Sequence, residues 1–169
     1  MKQLKTLLFS VVLLVGATSF SNAQAKIAHI NTAKLVEEMP EMKAAQAEIE
    51  TLSKTYETEL KAQTTTIQNK IKQYSAEVDT KTDEENLARQ QEVATMEQGI
   101  REYQAKAQQD LQKKEATLLK PIFEKAKAAI QKVAKAQGFQ YVLNSSEGGG
   151  VLVADGTDLL PAVKKELGF

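Results

Sequence analysis

The chain has no cysteine and no tryptophan, and only 3 prolines in 169 residues. Without cysteine there are no disulfides and no thiolate metal sites, so stability has to come from packing and association. Aromatic residues make up 5% of the sequence, too few to fill a thick core. Neither sign of charge dominates, since 22 Lys and Arg face 22 Asp and Glu. A nucleic-acid binder would carry a basic field, and this chain carries none, so nucleic acid is not an expected partner.

Long hydrophobic runs are also missing, with one exception at the N-terminus. Lys2 and Lys5 supply a basic start, Leu7 to Phe20 an apolar stretch, and Ser21-Asn22-Ala23 a small-x-small cleavage pattern. Residues 1–23 therefore read as a cleaved export signal, with Ala23-Gln24-Ala25 offering a second cut site two residues later. A retained anchor is the competing reading, but the run is short against the roughly 20 apolar residues a span needs. Cleavage removes two lysines and no acid, leaving 20 basic against 22 acidic side chains and a net charge near −2. The expected product is soluble and exported.

What the chain does have is a ladder of apolar residues at intervals of eleven. Ile49, Leu60 and Ile71 form one series, and Tyr56, Ile67 and Val78 a second. Beyond a polar break, Ile100, Leu111, Ile122 and Val133 form a third, and Met96, Ala107, Leu118 and Ala129 a fourth. Eleven residues make three helical turns at about 3.67 residues each, which keeps a ladder on one face of a nearly straight helix. Two long helices joined by a turn at Asp79–Asp83 follow, with Leu52 and Tyr74 adding to the same packing face. Pro40 is suited to the first turn of the first helix, and Thr82 or Asp83 can cap the second. Gly138 can end the second helix, and Pro121 inside it predicts a kink. A helix from Pro40 to Val78 spans on the order of 58 Å, far more than the width of a small domain. The hairpin, residues 40–120, must project.

At either end of the hairpin the pattern changes. Residues 26–30, 139–143 and 151–154 read as short strands, with Gly148-Gly149-Gly150 in the last connection and a turn at Asp155-Gly156. A brief helix from Asn31 or Thr32 to Glu38 and a final one carrying Leu159, Leu160, Val163 and Leu167 complete the set. Residues 24–39 and 121–169 thus form one small α/β body into which the hairpin is inserted. A body of that size buries little surface and is marginal alone, so association with further copies is expected.

The residues capable of chemistry are sparse. His29 is the single histidine, with no carboxylate or thiol cluster at metal spacing around it, and reads as structural. The triple glycine is not followed by the lysine and hydroxyl residue of a phosphate loop. Asn144-Ser145-Ser146 fits a glycosylation acceptor, but such residues are also ordinary in a hairpin turn. No enzyme activity, cofactor or metal is expected. Charge along the hairpin is graded: acids outnumber bases from Asp79 to Glu102, and bases outnumber acids from Tyr103 to Gln137. Gln63, the Thr64–Thr66 run, Gln68 and Asn69 interrupt the apolar face of the tip half, as do Gln90, Gln91, Gln98 and Gly99 opposite, so weak packing and bending follow.

The order of these parts resembles the Skp (OmpH) family. Leu119-Lys120-Pro121-Ile122 through Ala129-Ile130, Val133-Ala134 and Gly138-Phe139 to Val142-Leu143 is similar to the family's passage from helix into strand. Asp155-Gly156-Thr157-Asp158-Leu159 is similar to its turn into the last helix, while Leu160-Pro161 departs from the threonine common there. The resemblance covers essentially the whole mature chain and implies an ATP-independent periplasmic holdase. It implies a homotrimer whose hairpins surround a cavity holding unfolded outer-membrane β-barrel proteins. The implied fold is α+β and mostly α: a small strand-containing trimerisation body with a long protruding antiparallel helical hairpin. Ile27, Ile30, Phe139, Tyr141, Leu143, Val151 and Val153 are the expected association residues. Because this chain is near neutral where family members are often strongly basic, any contact with membranes or lipopolysaccharide is expected to be weak. The rival reading is an envelope structural or adaptor protein pairing its hairpin with a partner helix, which needs a continuous apolar stripe.

Overall fold

Met39 is held extended at φ −62° and ψ 131° because the ring of Pro40 excludes helical geometry in the residue before it. That one junction separates helix α1 (Thr32–Glu38) from the long helix α2 (Pro40–Glu77). The computed structural model describes residues 25–169, so the expected export signal at 1–23 lies outside the described residues. Strand β1 (Ile27–Ile30) precedes α1, and a single 3-10 turn (Val78–Thr80) follows α2. Helix α3 (Asp83–Ala136) returns along α2, and β2 (Tyr141–Asn144), β3 (Thr157–Asp158) and α4 (Leu160–Leu167) close the chain. The fold is α+β and mostly helical.

Each end of the hairpin is fixed by local chemistry. Thr82 and Glu85 form a capping box: the Glu85 N–H donates to Thr82 Oγ1 at 3.2 Å, and the Thr82 N–H to Glu85 Oε2 at 3.0 Å. At the other end of α3, Gly138 takes φ +73°, which a side chain would resist. This lets the Phe139 N–H donate to Ala134 O at 2.9 Å and the Gly138 N–H to Lys135 O at 3.1 Å. The helix runs on through Pro121 without ending. With 38 residues in α2 and 54 in α3, the helices are about 57 Å and 81 Å long.

The sheet has the order β2-β1-β3, and both pairs are parallel. Ile27 to Ile30 pair with Tyr141 to Asn144, and Ala28 and His29 with Thr157 and Asp158. Parallel neighbours cannot be joined by a tight turn, so a crossover must link β1 to β2, and here the whole hairpin is that crossover. Alternation along β1 sends Ala28 and Ile30 inward and leaves Ile27 and His29 on the outer face. Ile30, Leu35, Met39, Leu159 and Val163 are almost wholly buried, and the base of the hairpin adds Met42, Ala45, Ile122, Ala126, Ala129 and Val133. Each large aliphatic side chain removed from water is worth about 1.5–3 kcal/mol.

Three expectations from the sequence are corrected. Val151–Ala154 forms no strand; the third strand is Thr157–Asp158, which occupies the free flank of β1. Gly148 and Gly150, at φ +77° and +79°, curl the preceding segment and leave Leu152 98% and Val153 76% exposed. Because β2 and β3 both pair with β1 and not with each other, Asn144-Ser145-Ser146 is not a hairpin turn. Instead Asn144 Oδ1 and Ser146 Oγ tie the end of β2 to Thr32 and Ala33 at the start of α1. Finally, Ile30 (1% exposed) and Phe139 belong to the chain's own core, so neither is free to face another copy.

Candidate functional site

The hairpin carries two kinds of contact between its helices. Ile49, Leu52, Tyr56, Leu60, Tyr74, Met96, Ile100, Leu111 and Leu118 are half-buried, and Ile67, Ala107 and Ile122 are buried. Ile71 and Val78, which the ladders place in the packing face, are instead 39% and 47% exposed. Two helices without a third cannot enclose a whole ladder, so most apolar rungs keep one side in water.

Polar crosslinks complete the seam. From the base outward, Lys125 pairs with Glu41 and Lys114 Nζ with Glu48 at 2.6 Å. In mid-arm the Tyr56 hydroxyl donates to Asp110 at 3.0 Å, Lys106 reaches the same carboxylate at 2.6 Å, and the Tyr103 hydroxyl donates to Glu59. The rings of Tyr56 and Tyr103 meet edge to face at 5.8 Å. Near the tip, Lys70 pairs with Glu92, whose other oxygen accepts from the Tyr74 hydroxyl at 2.5 Å. Arg89 pairs with Glu77 and lies 4.5 Å from the Tyr74 ring centroid. Apart from Lys106 and Asp110, which lie one turn apart on α3, each partner pair is nearly equidistant from the turn, as antiparallel helices require.

These bonds shift the groups that make them. Hydrogen bonding to Glu59 pushes the Tyr103 hydroxyl up to about 12. Lys106 and then Tyr56 hold Asp110 below its usual range, and Lys70 and then Tyr74 do the same for Glu92. Glu77 is lowered by Gln73 and Arg89. Sequence reading missed this set, although part of the signal was present: Tyr56 occupies a ladder position and Tyr74 the same packing face, where a hydroxyl must find a partner across the seam, whereas Tyr103 is in neither expected set.

The Thr64–Thr66 run is tolerated in α2 because each hydroxyl donates to the carbonyl four residues earlier, at 2.8, 2.8 and 2.9 Å. This removes the hydroxyls from the seam and leaves that stretch without crosslinks of its own.

On the body, the parallel register places Ile27, His29, Tyr141 and Leu143 on one outer face of the sheet. Ile27, Tyr141 and Leu143 are all exposed there, and Val151, Leu152 and Val153 follow in the loop after β2. His29 is a tie within this face. Its Nε2 lies 3.2 Å from the Gly156 carbonyl and Nδ1 3.2 Å from Ser145 Oγ. A carbonyl only accepts, so Nε2 carries the proton and Nδ1 accepts from the serine. Among the described residues, no group of three His, Cys, Asp or Glu is placed to hold a metal ion, and no helix is long and apolar enough to cross a membrane.

The chain that folds into this parallel three-stranded body with one long hairpin matches the family model for outer membrane protein (OmpH-like) over residues 26–167. The chain belongs to the OmpH-like family. A search of curated proteins gives no match. Among solved structures, the chain is similar to a candidate outer membrane chaperone (OmpH-like) from Caulobacter crescentus CB15. That likeness has a TM-score of 0.69 at 22% identity, covers 86% of this chain and 85% of the other, and establishes the shared fold.

Proposed function

We propose that this OmpH-like chain is an ATP-independent holdase of the periplasm. As a homotrimer, it would keep unfolded outer-membrane proteins from aggregating in a cavity between its arms. The observation that carries the reading is the construction of the hairpin, which is long, projecting, and closed by scattered polar crosslinks with apolar rungs left half in water. Such a surface offers many weak contacts and no deep one. Several arms acting together convert weak contacts into useful avidity while each remains easily broken. Release then needs no fuel beyond a client's preference for the membrane. An adaptor that pairs its arm with one partner helix would need a continuous apolar stripe, and the polar crosslinks and threonine run break that stripe.

Support for association comes from the body. Ile27, Tyr141, Leu143, Val151 and Val153 present an apolar face that a lone chain leaves wet, and a patch of that kind is a candidate protein contact. Val151–Ala154 has the composition of a strand and no ladder within its own chain, so another copy could supply one. The fitting number of copies is three, by resemblance to the family. Contact with lipopolysaccharide or membranes would be weak at this net charge.

The purified chain should sediment as a trimer and suppress light scattering from a urea-diluted outer-membrane protein at roughly one trimer per client. No suppression at about tenfold excess would reject the holdase, and a single stoichiometric partner recovered from envelope extract would favour the adaptor.

A further inference from the structure

Near the end of the arm, a trough of about 540 Å³ lies between Ile71, Tyr74 and Val78 on α2 and Arg89, Val93 and Ala94 on α3. Its floor is aliphatic. One polar group stands on its wall: Arg89 Nη1 is out of water and has no acceptor, while Nη2 of the same guanidinium pairs with Glu77. The guanidinium lies 4.5 Å from the Tyr74 ring centroid, so the aromatic face serves as its partner on that side.

We propose that this trough seats one extended, unfolded polypeptide segment that carries an apolar side chain and few acidic residues. The proposal rests on the holdase reading and deepens it by naming a contact point for the client. Two features fix the occupant. An extended chain presents side chains that alternate in direction about every 3.3 Å, so one segment can set an apolar side chain on the aliphatic floor and keep its carbonyls in water. Charge selects among segments: from Lys70 to Glu97, seven acids (Glu77, Asp79, Asp83, Glu84, Glu85, Glu92 and Glu97) outnumber Lys70, Lys72, Lys81 and Arg89. An acid-rich client would be repelled, and so would the acid-rich tip of a second copy. A lipid fits less well, because its anionic headgroup meets the same field.

The absence of cysteine allows a direct test on the full chain. Ser75 lines the trough, so Ser75→Cys carries a unique site for an environment-sensitive dye, and Thr65→Cys carries the same dye away from the trough. The probe is a synthetic peptide of alternating Leu and Thr with lysines at both ends, and its counterpart has glutamates there. The lysine peptide should shift the emission of the dye at position 75 saturably and leave position 65 unmoved. Ala94→Trp, which fills the trough from an exposed helical position, should weaken that binding by about tenfold or more, as should the glutamate ends. Equal response at the two dye positions, or binding unchanged by Ala94→Trp with helicity intact, would overturn the proposal. A response only to phosphatidylglycerol vesicles, or only to rising protein concentration, would overturn it in favour of a lipid or a second copy. Aggregation suppression by the same proteins separates the two claims. Suppression without peptide binding rejects the trough and keeps the holdase, whereas peptide binding without suppression does the reverse.

Discussion

The body and the arm hold themselves together by opposite means. In the body, Leu35, Met39, Leu159 and Val163 are sealed from water, and no polar or charged side chain is buried among the described residues. In the arm, the closing contacts are ion pairs and tyrosine–carboxylate bonds with at least one partly exposed partner. The first kind of contact is strong, insensitive to salt and pH, and permits one geometry. The second kind is weak at the surface, screened by salt, and breaks and reforms at little cost. One chain thus combines a rigid anchor with a compliant limb, and the difference arises from whether a third element covers the apolar face.

The largest effect should come from the anchor. Leu35→Ala removes a wholly buried side chain from the centre of the body and should cost about 2–5 kcal/mol in urea unfolding, a large share of a typical domain's stability. Next comes the outer face of the sheet. Aspartates at Tyr141 and Leu143 together should reduce the sedimenting species to a single chain while circular dichroism still reports the helices. Unchanged sedimentation would move the association surface elsewhere.

Acid should then separate limb from anchor. Glu77, Glu92 and Asp110 have folded-state values below their ordinary ones, so their contribution is present above about pH 4 and is lost as pH falls further. At pH 3, amide protection relative to the intrinsic exchange rate should fall along the arm, with the residues around Leu35 and Val163 still protected. Tyr103 works in the other direction: its value of about 12 lies above the ordinary 10, so its bond to Glu59 is intact below pH 10 and fails as pH climbs through 12. The smallest effect is expected from Tyr103→Phe, which should speed exchange near residues 59 and 103 and leave the urea midpoint of the body unmoved.

Much of this contrast is legible in the sequence, and what is not has a physical reason. Pro40, Thr82 with Glu85, and Gly138 act through neighbours within a few residues, so helix ends are written locally. The eleven-residue ladders likewise report one face of each helix without reference to anything distant. Strand pairing depends on residues more than a hundred positions apart, and composition alone could not show that Thr157–Asp158 takes the flank of β1 while Val151–Ala154 stays unpaired. The same applies to Ile30 and Phe139, whose apolar character is equally suited to an interface and to the core that claims them. The tyrosine–carboxylate bonds were hidden because a hydrophobicity pattern counts tyrosine as an apolar rung and ignores the hydroxyl.

Because Glu41 at the start of α2 pairs with Lys125 on α3, the two roots of the limb lie side by side, and nothing in the sheet measures how far the chain travels before it comes back. Length is therefore a free dimension of this molecule. Taking one eleven-residue unit out of each helix would draw the tip in by about 16 Å and return every surviving rung to its former azimuth. Reach could be graded in such steps, by selection or by an engineer, with the foundation untouched.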